Sequence, residues 1–277
     1  MLPGITESPS LHWSTTGTQP VTETLATEAP LAIEIAYHRG EQVVRRLLGV
    51  TMRTPGADEE LAVGFLHGEG LIRSCDDIAG GRAAGQTVRG ETLPTWIVEL
   101  NHAPREALER VSRSLLTSSA CGFCGRPSLE GLPTGTVTST GQPLWDPALL
   151  ARLPEQLRQR QALFDATGGS HGAGLATAGG EVDLVREDVG RHNAVDKLIG
   201  AALQAGIPLA ERALVLSGRA SFELLQKASA AGLGLVIAVG APSSLAVDLA
   251  HQSGITLIGF ARDRRCNVYT HVARIKI

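Results

Sequence analysis

From Ala213 to Phe260 the chain repeats one pattern, a short apolar run followed by a helix-length amphipathic segment. Ala213–Leu216, Leu235–Val239 and Ile255–Phe260 read as strands, with helices at Ser221–Ala231 and Ser243–Gln252 between them. Strands joined through helices pair in parallel, and their connections lie over the sheet. Ligands of such a sheet bind in the crevice beyond the carboxyl ends of its strands, so the residues just after each strand are the first candidates for a site. Upstream, Gly172–Ala176 and Val182–Val185 form two short strands about a Gly179-Gly180 turn. Gly190–Ala205 forms a helix, and so does Asp146–Phe164, with Leu149, Leu150, Leu153, Leu157 and Leu163 on one side.

The first half reads differently. Leu31–Tyr37 and Val43–Leu48 predict a hairpin, and Thr95–Leu100 a further strand. Asp58, Glu59 and Glu60 stand before Leu61, Phe65 and Leu66 as in the first turns of a helix. A charged helix is expected near Arg105–Arg113. Residues 1–30, rich in Thr, Ser, Glu and Pro, predict a disordered tail. The expected organisation is therefore a tail over 1–30, a small α+β subdomain over 31–118, a mobile cysteine loop and linker over 119–146, and an α/β domain over 147–277. The chain shows no internal repeat of fixed period.

Composition narrows the function classes. With 43% hydrophobic and 19% charged residues the 277-residue chain is not disordered as a whole. Its 25 Lys and Arg against 28 Asp and Glu leave a formal charge of −3, which gives no overall attraction to nucleic acid or to an anionic membrane. Any anion site must be local. The longest apolar stretch, Leu233–Ala241, is interrupted by two glycines, too short for a membrane span. The first 30 residues lack the pattern of a signal peptide, so a cytoplasmic protein is expected.

At the strand ends, Ser217-Gly218-Arg219 and Gly240-Ala-Pro-Ser243 each lead into a helix, where free backbone N–H groups and hydroxyls suit an anion; Ser221 and Ser243 also serve as ordinary caps. The third end, Phe260-Ala261-Arg262-Asp263-Arg264-Arg265-Cys266, sets three guanidiniums in four positions, and their planar forks suit phosphate. His192, Asp196 and Lys197 lie together at the start of the preceding helix as a base, a donor set or a metal site, or else Asp188 caps that helix and His192 simply satisfies Asp196.

The most specific chemistry is Cys121-Gly-Phe-Cys124-Gly. Two thiols three apart suit a persulfide held on one and resolved or accepted by the other. No second Cys pair stands at zinc-ribbon spacing, and Cys75 and Cys266 are expected to be inert.

These motifs together resemble one family. Cys-Gly-Phe-Cys-Gly at 121–125, Gly-Gly-Ser-His at 168–171, Glu-Asp-Val-Gly-Arg-His-Asn-Ala-Val-Asp-Lys at 187–197, Ser-Gly-Arg-Ala-Ser-Phe-Glu at 217–223, Ala-Pro-Ser-Ser-Leu-Ala-Val at 241–247 and Gly-Phe-Ala-Arg at 259–262 are similar to those of the formate dehydrogenase accessory sulfurtransferases, the FdhD/NarQ family. The likeness spans about residues 31–277.

The resemblance implies a cytidine deaminase-like α/β domain with a parallel or mixed sheet, a smaller N-terminal α+β subdomain, and a homodimer. It implies a sulfur carrier: a cysteine desulfurase passes persulfide sulfur to Cys121, with Cys124 as its partner. The sulfur then goes to a bound molybdenum cofactor, Mo-bis(molybdopterin guanine dinucleotide), destined for formate dehydrogenase. Phe260, Ala261, Arg262, Asp263, Arg264 and Arg265 match the family's cofactor-binding segment, and His192, Ser217 and Arg219 are added as further cofactor contacts; no metal ligand is assigned. Asp263 stands where family members often carry Gly, and Cys266 where they often carry a bulky apolar residue.

Two alternatives are a zinc deaminase-like hydrolase, suggested by His67-Gly-Glu69 with Cys121 and Cys124, and a cofactor chaperone without sulfur chemistry. Against the first, Ala120 stands where the deaminase signature has Pro.

Overall fold

A computed structural model of the chain describes residues 4–88, 91–104, 108, 135, 137 and 143–276. Among them are twelve strands in three sheets and seven α-helices.

The first sheet corrects an expectation. In place of a tail over residues 1–30, β1 (Ile5–Ser14) and β2 (Gly17–Ala26) form an antiparallel hairpin that pairs Ser14 with Gly17 at its tip. The base is closed by Thr27 N–H donating to the Gly4 carbonyl at 2.7 Å. Thr6, Thr18, Thr22 and Thr24 are β-branched and favour the extended chain, and this decides the conformation where apolar content is low. The ribbon buries little: Leu11 is 71% and Trp13 73% exposed.

The second sheet has the order β4-β3-β6-β5. The expected hairpin is β3 (Ala29–Arg39) with β4 (Gln42–Arg53), and the expected strand lies in β6 (Glu91–Leu100), parallel to β3. The sequence did not reveal β5 (Ile78–Val88), whose glycines read as breakers. At Gly81 the reason is steric, since a Cβ there would stand 3.1 Å from the Trp96 indole nitrogen. Helix α1 (Asp58–Gly68) packs on this sheet through Leu61, Phe65 and Leu66 against Leu31, Ile33, Ile35 and Val98. Its three leading carboxylates sit favourably at the positive N-terminal end of the helix dipole, and Asp58 pairs with buried Arg53 at 2.8 Å. The helix expected near Arg105–Arg113 lies outside the described residues, apart from Leu108, which joins this core.

The third sheet, β12-β11-β10-β9-β7-β8, is mixed. As the sequence predicts, β9 (Ala213–Leu216), β10 (Leu235–Ala238) and β11 (Thr256–Arg262) run parallel; β7 (His171–Ala176), β8 (Val182–Asp188) and β12 (Arg265–Val268) are antiparallel additions. The single helix expected over Asp146–Phe164 is in fact broken into pieces: α2 (Pro147–Leu150), α3 (Leu153–Gln159) and α4 (Ala162–Thr167). Pro154 causes the first of the two breaks, since it cannot donate to the preceding turn and is tolerated only where a helix begins.

Side-chain alternation makes three layers. Leu214, Leu216, Val236 and Ala238 face α5 (Arg191–Gln204), α6 (Phe222–Ala230) and α7 (Ser244–Ser253). Their neighbours Ala213, Val215, Leu235 and Ile237 face Leu150, Leu153, Leu157 and Trp145 on the α2–α3 side. No helix among the described residues is long and apolar enough to cross a membrane.

The second and third sheets are joined through α1 and α5, which touch backbone to backbone. A Cβ on Gly64 would lie 1.9 Å from the Asp196 carbonyl oxygen, and one on Gly200 1.9 Å from that of Glu60. The reciprocal pairing makes the helices antiparallel. Around it, Arg186 holds Glu60 through two bonds of 2.5 and 2.6 Å, and Lys197 donates to the Thr54 carbonyl at 2.8 Å.

Gly64→Ala and Gly200→Ala should each destabilise the protein by about 1–3 kcal/mol in urea unfolding, because the clash outweighs the roughly 1 kcal/mol gain in helix propensity; unchanged or raised stability would disprove the close contact. A second expectation concerns His67, buried at this junction with Nδ1 unpartnered. Burial, and next the Lys227 charge, lower its pKa. The unfolded chain therefore binds a proton that the folded chain refuses, so stability falls as pH drops below about 6.5. His67→Gln should flatten that dependence, and an unaltered pH profile would exclude His67 as its source.

Candidate functional site

The ends of β9, β10 and β11 meet on one edge of the third sheet and open into a cavity of about 680 Å³. Its sheet-side wall comprises Ser217, Val239, Ala261, Arg262, Asp263 and Arg264; the wall opposite is built from α3 and its approach and includes Arg152, Glu155, Gln156 and Arg158. Such a volume suits a ligand of nucleotide size. Arg152, Arg262 and Arg264 make no ion pair with another described residue, and with Arg158 they set four guanidiniums beside the two carboxylates, Glu155 and Asp263, that line the cavity of a net acidic chain.

The cationic wall is shaped by unusual backbone. Asp263 and Arg264, the two central residues of the β11–β12 turn, have φ of 52° and 58°, and Arg262 pairs with Arg265 across it. This is the mirror-image turn that matches strand twist, ordinarily made by Gly, Asn or Asp. Phe260 also has positive φ, 51°, at an irregularity between Gly259 and Arg262, and its N–H donates to the Gly240 carbonyl at 3.1 Å. Left-handed conformations at bulky residues cost about 1–3 kcal/mol each and persist where the surroundings fix them.

Of the residues expected to bind cofactor, the structure brings Ser217, Ala261, Arg262, Asp263 and Arg264 into the cavity wall. Phe260 and Arg265 flank them in sequence. Arg219 does not line the cavity and packs its side chain by Gly240, where a Cβ would meet its Cγ at 3.0 Å. Ser217 Oγ accepts from Gly172 N–H at 2.8 Å.

His192 lies elsewhere, at the start of α5. It does not pair with Asp196: its Nε2 stands 2.6 Å from Glu223 Oε2, and this contact is the main cause that lowers the Glu223 pKa. Asp196 turns inward to Lys227, at 2.7 and 2.9 Å; burial pushes its carboxyl up, against the Lys227 charge. His171 projects on the α5 side with Ala173 and Leu175, and burial, then the charges of Arg191 and His192, lower its pKa.

Most of the 187–197 motif holds the fold together. Glu187 accepts N–H bonds from Leu163 and Phe164 at 2.8 and 2.9 Å and the Ser170 hydroxyl at 2.7 Å. Asp188, fully buried, makes no side-chain cap on α5; it accepts from Thr54 N–H and Gly190 N–H and pairs with Lys197 at 2.7 Å. Asn193 donates to the Met52 carbonyl at 2.7 Å. Ser243 does cap its helix, accepting from Ala246 N–H, whereas Ser221 Oγ is buried without a partner.

Cys121 and Cys124 lie outside the described residues. The chain after them is anchored at the edge of the sheet opposite the cavity: Ser229 Oγ, late in α6, donates to the Gly135 carbonyl at 2.7 Å, and Val137 N–H donates to Ser253 at the end of α7. Burial raises the thiol pKa of Cys75 and Cys266, keeping both protonated and poorly nucleophilic. Among the described residues no group of three or more His, Cys, Asp or Glu is arranged to hold a metal.

The α3 wall was missed by sequence reasoning. Its signal was present as a polar stripe, Arg152, Glu155, Gln156 and Gln159, at helical spacing beside the apolar one.

Comparison with known proteins gives the family of the chain. Residues 26–276 match the model of the FdhD/NarQ family. The chain is 47% identical over 262 residues to the sulfur carrier protein FdhD of Streptomyces avermitilis, covering 92% of this chain and 90% of that one. It is 47% identical over 260 residues to that of Corynebacterium efficiens, covering 89% of each. A crystal structure of a candidate formate dehydrogenase accessory protein from Desulfotalea psychrophila superposes with a TM-score of 0.71 at 26% identity, over 99% of this chain and 100% of that one. With the second and third sheets, the strand-end cavity and the sequence motifs falling inside the matched span, this chain belongs to the FdhD/NarQ family.

Proposed function

We propose that the chain is a sulfur carrier in the maturation of formate dehydrogenase, acting as a sulfurtransferase. Cys121 thiolate attacks the terminal sulfur of a persulfide on a cysteine desulfurase; the desulfurase thiolate leaves, and Cys121 carries the sulfane atom, with Cys124 as its partner. The acceptor, Mo-bis(molybdopterin guanine dinucleotide), is held as substrate, its phosphates at Arg262 and Arg264. The observation that carries this reading is the cavity bordered by the guanidiniums of Arg152, Arg262 and Arg264, which form no ion pair among the described residues of a net acidic chain, because Arg pairs with phosphate bidentately and the local charge draws an anion that the whole protein does not.

The distances allow both roles. Cys124 precedes Gly135 by eleven residues, up to about 36–40 Å of extended chain, whereas α6, which runs between the sheet edges, is about 14 Å long. Chain length therefore permits the thiols to serve a donor at one edge and a ligand at the other. A cavity of 680 Å³ admits one nucleotide arm of a two-armed cofactor. The reading includes a cytoplasmic homodimer with a deaminase-like α/β domain and without zinc.

Cys121→Ala should abolish the cyanide-releasable sulfur acquired from a cysteine desulfurase, seen as the loss of a one-sulfur mass gain on the 121–125 peptide, and should leave nucleotide binding intact. Arg262→Gln with Arg264→Gln should do the reverse, weakening binding by roughly tenfold or more. Activation of formate dehydrogenase by the Cys121→Ala protein would replace this reading with cofactor holding alone, and one tightly bound zinc per chain would favour the hydrolase.

A further inference from the structure

The ion pairs made by α5 differ in what can reach them. Lys197–Asp188 and Asp196–Lys227 are sealed in the core, with no side chain more than 9% exposed. His192–Glu223 is open. These are the second residues of α5 and α6, His192 Nε2 stands 2.6 Å from Glu223 Oε2, and the side chains are 23% and 38% exposed. The contact is close but bent, which leaves Nε2 able to serve a third group. The ring of His171, at the start of β7, makes no hydrogen bond with a described residue, and a Cβ on Gly218 would stand 3.6 Å from its Nδ1. Ser217, one residue earlier, lines the cavity, so a single glycine separates this group from the cavity rim. Ser221 Oγ, just ahead of α6, is buried without a partner and does not cap its helix. Two imidazoles, a carboxylate and a hydroxyl thus stand about the starts of two helices with hydrogen-bonding capacity unspent.

The surroundings set the imidazoles different tasks. His171 is faced by Arg191 and His192 from α5 and by Asp188 from β8; burial, then the two cationic neighbours, outweigh the carboxylate and favour the neutral ring, a base. Glu223 is faced by His192, Arg191 and Lys227; the His192 contact, against burial, lowers its pKa, so a charged carboxylate lies against the second imidazole, as suits a proton donor. We propose that His171 and His192, with Glu223 positioning His192, form a proton-transfer site for the delivery of sulfur. His171 takes the proton of the attacking thiol, and His192 gives one to the oxygen that sulfur displaces. This rests on the proposed function, in which the cavity takes one nucleotide arm and the metal of the ligand lies beyond the rim. In the step, the Cys124 thiol loses its proton and attacks Cys121 Sγ of the persulfide. A Cys121–Cys124 disulfide forms, the bond to the sulfane atom breaks, and that atom leaves reduced, as hydrosulfide. Hydrosulfide displaces an oxygen ligand of molybdenum, whose valence does not change. The hydrosulfide proton and one from His192 leave on that oxygen as water, and the thiol proton held by His171 restores His192.

The test uses the full chain carrying Mo-bis(molybdopterin guanine dinucleotide) and loaded with one sulfur on the 121–125 peptide by a cysteine desulfurase. Loss of that mass gain in a single turnover, timed across pH, reads the transfer. The native rate should be bell-shaped, its acidic limb set by the base and its alkaline limb by the acid. His171→Gln should remove the acidic limb and His192→Ala the alkaline one, each slowing transfer about a hundredfold or more while sulfur loading and GDP affinity stay native. Added imidazole should restore part of the His192→Ala rate, which a side chain of structural role alone would not permit. Glu223→Gln should keep both limbs and move the alkaline one to lower pH, because an imidazolium without its carboxylate gives up its proton more readily. A native rate in both histidine variants, or equal losses of loading, GDP binding and transfer, overturns the site and leaves the sulfur carrier standing. If the native chain never passes sulfur from that peptide to the cofactor, the proposed function fails and the site with it.

Discussion

The contact on which the rest of the molecule depends is the crossing of α1 and α5 at Gly64 and Gly200. Here two helices meet with no side chain between them, each glycine against the other helix's carbonyl. Close approach brings the Thr51–Thr54 strand end within reach of Asp188, Asn193 and Lys197, whose polar groups would be costly to bury without those partners. The hydrogen-bonded cluster is therefore a consequence of the glycine contact as well as its support. It fixes α5, and through α5 the third sheet, relative to the N-terminal sheet.

With the sheet so placed, the cavity follows from topology and charge. Parallel strands deliver the residues after β9, β10 and β11 to one edge, and α3 closes the opposite side because Leu153 and Leu157 are drawn onto the sheet. The cations there are not a sample of the surface. They are concentrated where backbone ends and helix starts already favour negative charge, while the chain elsewhere is acidic enough to discourage indiscriminate anion binding.

The sheet half of this arrangement was legible in the sequence, since apolar runs alternating with amphipathic helices leave few other folds. The helical half was not. Pro154 restarts a helix that periodicity alone runs through, and this changes which polar residues face the cavity. Glycine misled in both directions: in β5 it concealed a strand that passes under Trp96, and at Gly64 and Gly200 it looked like weakness where it permits contact. Strand β12 was hidden because its turn places Asp263 and Arg264 where glycine is usual. The 187–197 run was visible as a motif, but its spacing could not tell a reactive group from one that welds two sheets. Only partners such as Thr54 and Met52, more than 130 residues away, decide this.

The left-handed residues at 260, 263 and 264 carry a further implication. A recognition turn that is already locked surrenders little configurational freedom when its guest arrives, so association is not taxed by ordering the receptor. The conformational penalty is met once, during folding, by the core beneath β11. Under the proposed function, binding and release at this turn would then differ only in the electrostatics and solvation of the ligand.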